Sequence, residues 1–184
     1  PRRDLDYTVQ PMGRGSFGGN MLIASTWRHR EEMKRIGRGN ADRRWDVLPQ
    51  QPALAYDLAQ NRLIVTAAML QAPVLDAGMA PAAQYGGYGA LVGHELSHAV
   101  DARGRMVDAK GELRDWWTGT EAAAWDANVQ KVATLYDGFA YPQLKGVKVN
   151  GRLTRDENIA DIAGLELARA ALVAALPSGG AQAD

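Results

Sequence analysis

Val92-Gly93-His94-Glu95-Leu96-Ser97-His98-Ala99-Val100-Asp101 is the stretch that decides the fold and the chemistry of this chain. Val92, Leu96, Ala99 and Val100 recur at helical spacing. They predict one buried stripe on a helix running from about Gly89 to Arg103 and stopped by Gly104. His94, His98 and Asp101 fall on another face. Two imidazoles four residues apart stand one turn above each other, close enough to share a metal ion, and neutral imidazole suits zinc. Glu95 lies beside them and can act on a water without being a ligand. Two surface histidines spaced by chance would look the same in isolation. Asp101 argues for the metal, because a carboxylate one turn on can accept the second N–H of a ligand histidine and fix its tautomer.

A third ligand follows by elimination. The chain has three histidines, and the third, His29, lies in a basic N-terminal segment; there is no cysteine. A glycine three and a histidine six residues past His98 would complete one known kind of set, but Asp101 and Gly104 stand there. That leaves a carboxylate. Glu157, in Glu157-Asn158-Ile159-Ala160-Asp161, shares a helix face with Asp161, Gly164 and Ala168. A residue without a side chain at Gly164 would let this helix approach the first closely. Spacing alone leaves a second role open, since Thr154 and Glu157 also fit a capping box.

Composition sets outer limits. The 184 residues suffice for one domain with a core, or two small ones, and 46% are hydrophobic against 23% charged. Lys+Arg and Asp+Glu both number 21, so no global charge marks a nucleic-acid binder. The basic run from Arg28 to Arg44 reads as a solvated or docking face. Without cysteine there is no disulfide framework, thiolate zinc site or cysteine nucleophile. No apolar run reaches the length of a membrane span, and the first residues do not open a signal peptide.

Along the chain, residues 1–19 read as an irregular arm. Asn20 is expected to cap a helix through Met21, Ile23 and Trp27 toward Ile36, with Gly37 stopping it. Trp45 is an expected anchor in the loop that follows. Leu63-Ile64-Val65-Thr66 is the strand candidate, and Pro73 to Gly89 reads as a long loop. Val107 to Glu112 suggests a small hairpin. Thr118 and Glu121 form a capping-box pattern before a helix carrying Trp125, Val129, Val132 and Tyr136. Val147-Lys148-Val149 reads as a strand entering an Asn150-Gly151 turn. A last helix spans about Thr154 to Leu176, closed by Pro177, and 177–184 reads as a flexible tail. The fold expected is mainly helical with a small β-sheet.

The stretch from Val92 to Asp101, followed by Gly104-Arg105 and Asp115-Trp116-Trp117, resembles the neprilysin and endothelin-converting-enzyme family of zinc metallopeptidases. Glu157-Asn158-Ile159-Ala160-Asp161 resembles its third-ligand motif. Asn61 to Thr66 and Ala67-Ala68-Met69-Leu70-Gln71-Ala72-Pro73 resemble its substrate-binding strand and the turn after it. The resemblance covers about Asn20 to Leu176 and favours the metal over the cap for Glu157. It implies a zincin-like catalytic segment over 1–184 that binds one zinc ion per chain. His94, His98 and Glu157 would be ligands and Glu95 the base, with Asp101 and Asp161 orienting the histidines. Met69, Val74, Ala90 and Leu91 would line an apolar pocket for the residue after the scissile bond.

The implied activity is endopeptidase hydrolysis of peptide substrates, in a secreted, periplasmic or cell-envelope setting. Two departures support an alternative, a weak or inactive zinc-binding segment of such an enzyme. Ala53 stands where the family has an asparagine that grips the substrate backbone. Family members also carry an N-terminal lobe that roofs the site and a C-terminal stretch with an oxyanion-stabilising histidine. Those segments are the partners the resemblance suggests for this chain. A serine-type hydrolase is rejected, because two of the three histidines are already assigned.

Overall fold

The computed structural model describes residues 10–34, 36–37 and 47–176. The anchor expected at Trp45, the closing Pro177 and the tail lie outside them. The chain divides into two compact units, residues 1–46 and 47–184. In the first, helix α1 runs Phe17–Met33 and is capped by Ser16, whose hydroxyl accepts from Gly19 N–H at 3.0 Å. Asn20 is therefore not the cap. It sits in the first turn, where its amide group accepts from the main-chain N–H of Gly13 and donates to Gly13's carbonyl. The helix begins at Phe17, inside the stretch expected as an irregular arm.

The second unit opens with two antiparallel strands, β1 (Leu54–Asp57) and β2 (Arg62–Val65), registered so that Leu54 faces Val65 and Tyr56 faces Leu63. Only β2 was expected. β1 is a short Leu-Ala-Tyr-Asp run whose residues are all half-buried, so neither alternation nor β-branching marks it. Asn61 turns the chain between the strands at φ 46°, a left-handed conformation that asparagine tolerates better than most residues. Thr66, almost wholly buried, closes the sheet: its hydroxyl accepts from Ala53 N–H and its own N–H donates to Ala53's carbonyl.

The segment expected as a loop up to Gly89 turns helical at Pro81. Helix α2 (Pro81–Gln84) passes through a wide π turn, Tyr85–Gly89, into helix α3 (Ala90–Ser97) and a 3₁₀ turn, His98–Val100. Proline at the first helical position is pre-set for that geometry. The glycines at 86, 87 and 89 would argue against a helix on propensity alone.

Helix α4 (Gly119–Asp137) carries the expected capping box: Thr118 accepts from Glu121 N–H, and the Glu121 carboxylate accepts from Thr118 N–H at 2.7 Å. Val129 and Ala133 form its buried face. Helix α5 (Gly151–Ala175) begins earlier than expected. Asn150 is its cap, accepting from Leu153 N–H, and Asp137 accepts from Gly151 N–H at 2.7 Å. The Asn-Gly pair thus starts a helix instead of turning a hairpin, and the expected strand is reduced to one bridge, Ala140 with Lys148. Val107 likewise bridges Leu113, where the small hairpin was expected.

Small residues decide how the helices pack. A Cβ on Gly164 would lie 2.4 Å from Ala90's carbonyl and 2.5 Å from His94 N, and one on Gly93 would lie 2.7 Å from Gly164's carbonyl. These are backbone-to-backbone approaches that only glycine permits. Gly93 and Ser97 of α3 are buried, as are Ala160, Gly164 and Ala168 of α5. The expected apolar stripe is not the buried one: Leu96 and Val100 remain 45% and 43% exposed. α5 docks on the face where it can come closest, beside the histidines, and that face is made of small residues.

Candidate metal centre

Helix α3 and its 3₁₀ extension place both histidines on one side, their rings edge to face with centroids 5.0 Å apart. Each ring is gripped at Nδ1. His94 Nδ1 lies 2.8 Å from Asp161 Oδ1, and His98 Nδ1 lies 2.8 Å from Asp101 Oδ2. With Nδ1–H donated to a carboxylate, each Nε2 carries a lone pair, and the two nitrogens face each other at 3.3 Å. Two lone pairs aimed at one point repel unless a cation lies between them.

Glu157 completes the arrangement. Its Oε2 lies 3.3 Å from His94 Nε2 and 3.8 Å from His98 Nε2. Zinc bonds of about 2.0–2.1 Å at tetrahedral angles put neighbouring donor atoms about 3.3 Å apart. Two of the three separations match that figure and the third needs only a small side-chain adjustment. His94, His98 and Glu157 therefore fit a three-ligand zinc site, with donor atoms all within 4.8 Å of one another. The capping role for Glu157 is excluded, because Thr154 lies inside α5 and its hydroxyl donates to Asn150's carbonyl. Glu157 and Asp161 are 68% and 67% exposed, so the centre is open on the α5 side.

Asp101 does three things at once. It is buried, accepts the His98 proton at Oδ2, and accepts Arg103 and Gly104 N–H at Oδ1, 2.7 and 2.8 Å away. Burial pulls its pKa upward, but the bonds from His98, Gly104 and Arg103 outweigh it and leave the carboxyl below its ordinary value. The same hydrogen bond raises the pKa of His98 against the opposing effect of burial, with the charges of Asp101, Glu157 and Glu95 adding to it. The turn Asp101 makes is tight: a Cβ on Gly104 would meet the carbonyls of His98 and Ala99 at 2.3 Å. Trp116 locks it from outside, its indole N–H donating to the carbonyls of Gly104 and Val107.

Glu95 is held apart from the ligand trio. Its Oε2 accepts the main-chain N–H of Tyr56, in β1, at 3.0 Å. Thr66 N–H donates to Ala53's carbonyl in the ladder, so by alternation Leu54 and Tyr56 turn their N–H and C=O groups away from β2. The edge that meets the metal centre is therefore that of β1, and not β2, the strand expected to bind substrate. The Tyr56 contact has no sequence signal, because a backbone donor is the same in every residue. Gly93 did carry one: a glycine inside a helix costs about 1 kcal/mol and marks a close approach.

Of the four expected pocket residues, Ala90 opens α3 and meets Gly164 through its carbonyl, and Leu91 is 39% exposed. Met69 and Val74 are half-buried in the turns after β2. None of them lines a groove of about 370 Å³ walled by Tyr56, Leu58, Ala99, Val100, Val107 and Trp116. Ala53 offers its methyl group where an amide side chain was sought, its main chain being bound to Thr66.

Helices, a two-stranded sheet and a paired-histidine helix facing a glutamate are the architecture of known zinc metallopeptidases. The chain aligns with the crystal structure of Mycobacterium tuberculosis zinc metalloprotease Zmp1 in complex with an inhibitor, at TM-score 0.82 and 29% identity, over 96% of this chain and 28% of that one. Residues 55–178 match the model of peptidase family M13. The chain belongs to that family. It is 41% identical over 113 residues to a neutral endopeptidase of Lactobacillus helveticus, covering 61% of this chain and 17% of that protein. It is 32% identical over 165 residues to an endothelin-converting enzyme homolog of Locusta migratoria, covering 90% and 22%. The chain thus spans about a fifth of the length of these curated relatives. The resemblance read from the motifs is borne out.

Proposed function

We propose that this chain is the zinc-binding catalytic segment of an endopeptidase. The observation that carries the proposal is the convergence of His94 Nε2, His98 Nε2 and Glu157 Oε2 on one point, with Glu95 beside them but outside the set. Zinc held by these three residues would supply a Lewis acid that makes water nucleophilic near neutral pH and polarises the scissile carbonyl. Asp161 and Asp101 hold the two rings in the tautomer that leaves Nε2 free to bind. The Glu95 carboxylate takes a proton from water and passes it to the leaving amine nitrogen. The peptide lies extended along the outer edge of β1, bonded to Leu54 N–H and C=O and to Tyr56 C=O. Met69, Val74, Ala90 and Leu91 are proposed to receive an apolar residue after the cut.

The alternative, a zinc-binding segment of low activity, is favoured by Ala53, which removes a side-chain grip from the substrate edge. One experiment separates the two. Zinc content and cleavage of a peptide library are measured for the chain and for Glu95→Gln. Zinc with Glu95-dependent cleavage supports the endopeptidase; zinc without cleavage supports the alternative; no zinc rejects both.

A further inference from the structure

The two histidines are steadied by carboxylates on helical or turn segments, but Glu95 is steadied by a strand. Tyr56 N–H lies on the outer edge of β1, where the ladder to β2 does not use it, and donates to Glu95 Oε2 at 3.0 Å. We propose that the main-chain N–H of Tyr56 is a positioning group for the base: it fixes Glu95 at Oε2 and leaves Oε1 to move the proton. This rests on the role of Glu95 proposed above.

Three physical points support it. A glutamate side chain has three rotatable bonds, and a base left to rotate would spend much of its time out of reach of the water. A peptide N–H is a donor that cannot rotate and stays un-ionised at neutral pH, and hydrogen bonds to a carboxylate are roughly twice as strong as neutral ones. Finally, the donor belongs to the same edge on which the substrate is proposed to lie, so base and substrate are registered to one strand. The bond also keeps Glu95 out of the ligand set, which closes on His94, His98 and Glu157 without it.

The first arm of the test needs no turnover. Amide hydrogen exchange is followed at Tyr56 and Leu54, two outward-facing amides of β1. Tyr56 is expected to be protected relative to Leu54 in the native chain, to fall to the Leu54 level in Glu95→Ala, and to keep part of its protection in Glu95→Gln, which retains an acceptor oxygen. The second arm replaces the residue 56 amide by an ester, using the α-hydroxy analogue of tyrosine, with an ester at residue 54 as comparison. Each ester also weakens one ladder carbonyl, Ala55's or Ala53's, so general strand damage would fall on both. The ester at 56 is expected to lower kcat about 10- to 100-fold with KM and zinc content unchanged. The ester at 54 should raise KM instead. Equal exchange at the two amides in the native chain, protection at Tyr56 that survives Glu95→Ala, or matching kcat losses in both esters overturns the proposal. If the chain cleaves no peptide, the endopeptidase reading falls by itself, and the exchange arm alone decides whether the bond holds Glu95.

Discussion

Asp161 stands one turn after Glu157 on α5 and reaches back to His94 Nδ1, 2.8 Å away, while Glu157 itself meets His94 Nε2 at 3.3 Å. One helix therefore grips both nitrogens of an imidazole carried by another. The α3–α5 contact both orients the ring and completes the metal set. Any change that slides or lifts α5 must disturb the two functions together.

Zinc is the first expectation. About one tightly bound ion per chain should survive mild dialysis and be found by elemental analysis. Glu157→Gln and His98→Ala should each lose most of it. Full occupancy in Glu157→Gln would return that residue to a surface role.

Glu95→Gln should retain zinc and lose hydrolysis, because the amide keeps the shape but cannot take a proton. Metal content and peptide cleavage are measured on the same preparation. Loss of zinc in step with activity would instead make Glu95 part of the site's framework.

Asp161→Ala and Asp101→Ala should each weaken zinc binding about 10- to 100-fold, the usual cost of removing a carboxylate behind a ligand histidine. With zinc removed from both, only Asp101→Ala should also lower thermal stability markedly, since it leaves Arg103 and Gly104 N–H without their acceptor. Chelator competition and a thermal melt give the two readouts; equal melts for both variants would contradict the turn-locking role of Asp101.

Gly164→Ala tests the close approach. Its Cβ would fall 2.4 Å from the Ala90 carbonyl, which cannot rotate aside, so α5 must lift from α3. Overpacking of this kind costs about 1–3 kcal/mol. Zinc affinity should fall with it, because Glu157 and Asp161 ride on α5. A destabilised variant with native affinity would show that the ligands tolerate helix movement.

The capping box of α4 gives a pH dependence away from the metal. The Glu121 carboxyl sits below its ordinary pKa of 4.5, first because Thr118 N–H and then because the Thr118 hydroxyl bonds it. A carboxyl whose pKa is depressed by folding contributes stability above its unfolded value, and that stability is lost as pH falls through the folded one. Acid melts should show this loss below about pH 4.5 in the native chain and less of it in Glu121→Gln. Thr118→Ala should cost about 1 kcal/mol at neutral pH. An unchanged acid profile in Glu121→Gln would mean the box forms without the charge.

The parts legible in the sequence were those that side-chain chemistry writes directly. Two histidines at helical spacing, a carboxylate one turn on and a Thr-x-x-Glu box each name their partner by type and distance along the chain. Glu157 was ambiguous because a glutamate three residues after a threonine satisfies two rules, and only Asn150 taking the cap removed one. What stayed hidden depends on main chain or on closeness. β1 was unmarked because its four residues have no alternation. The buried face of α3 was misread because Leu96 and Val100 are larger than Gly93 and Ser97, although small size is what lets α5 dock there.

The proposed ligands lie far apart along the chain: Glu157 follows His94 by sixty-three residues, with the 3₁₀ turn, the Trp116 segment and α4 strung between them. An ion bonded to both would act as a cross-link closing that span into a ring. Cross-linking a loop of this length removes unfolded-chain entropy worth about 4 kcal/mol at room temperature, on the model used for disulfides. In a chain without cysteine, the metal would then do the work of a covalent staple. Chelation would be felt as a lower melting temperature across the whole span, well beyond the three residues that touch the ion.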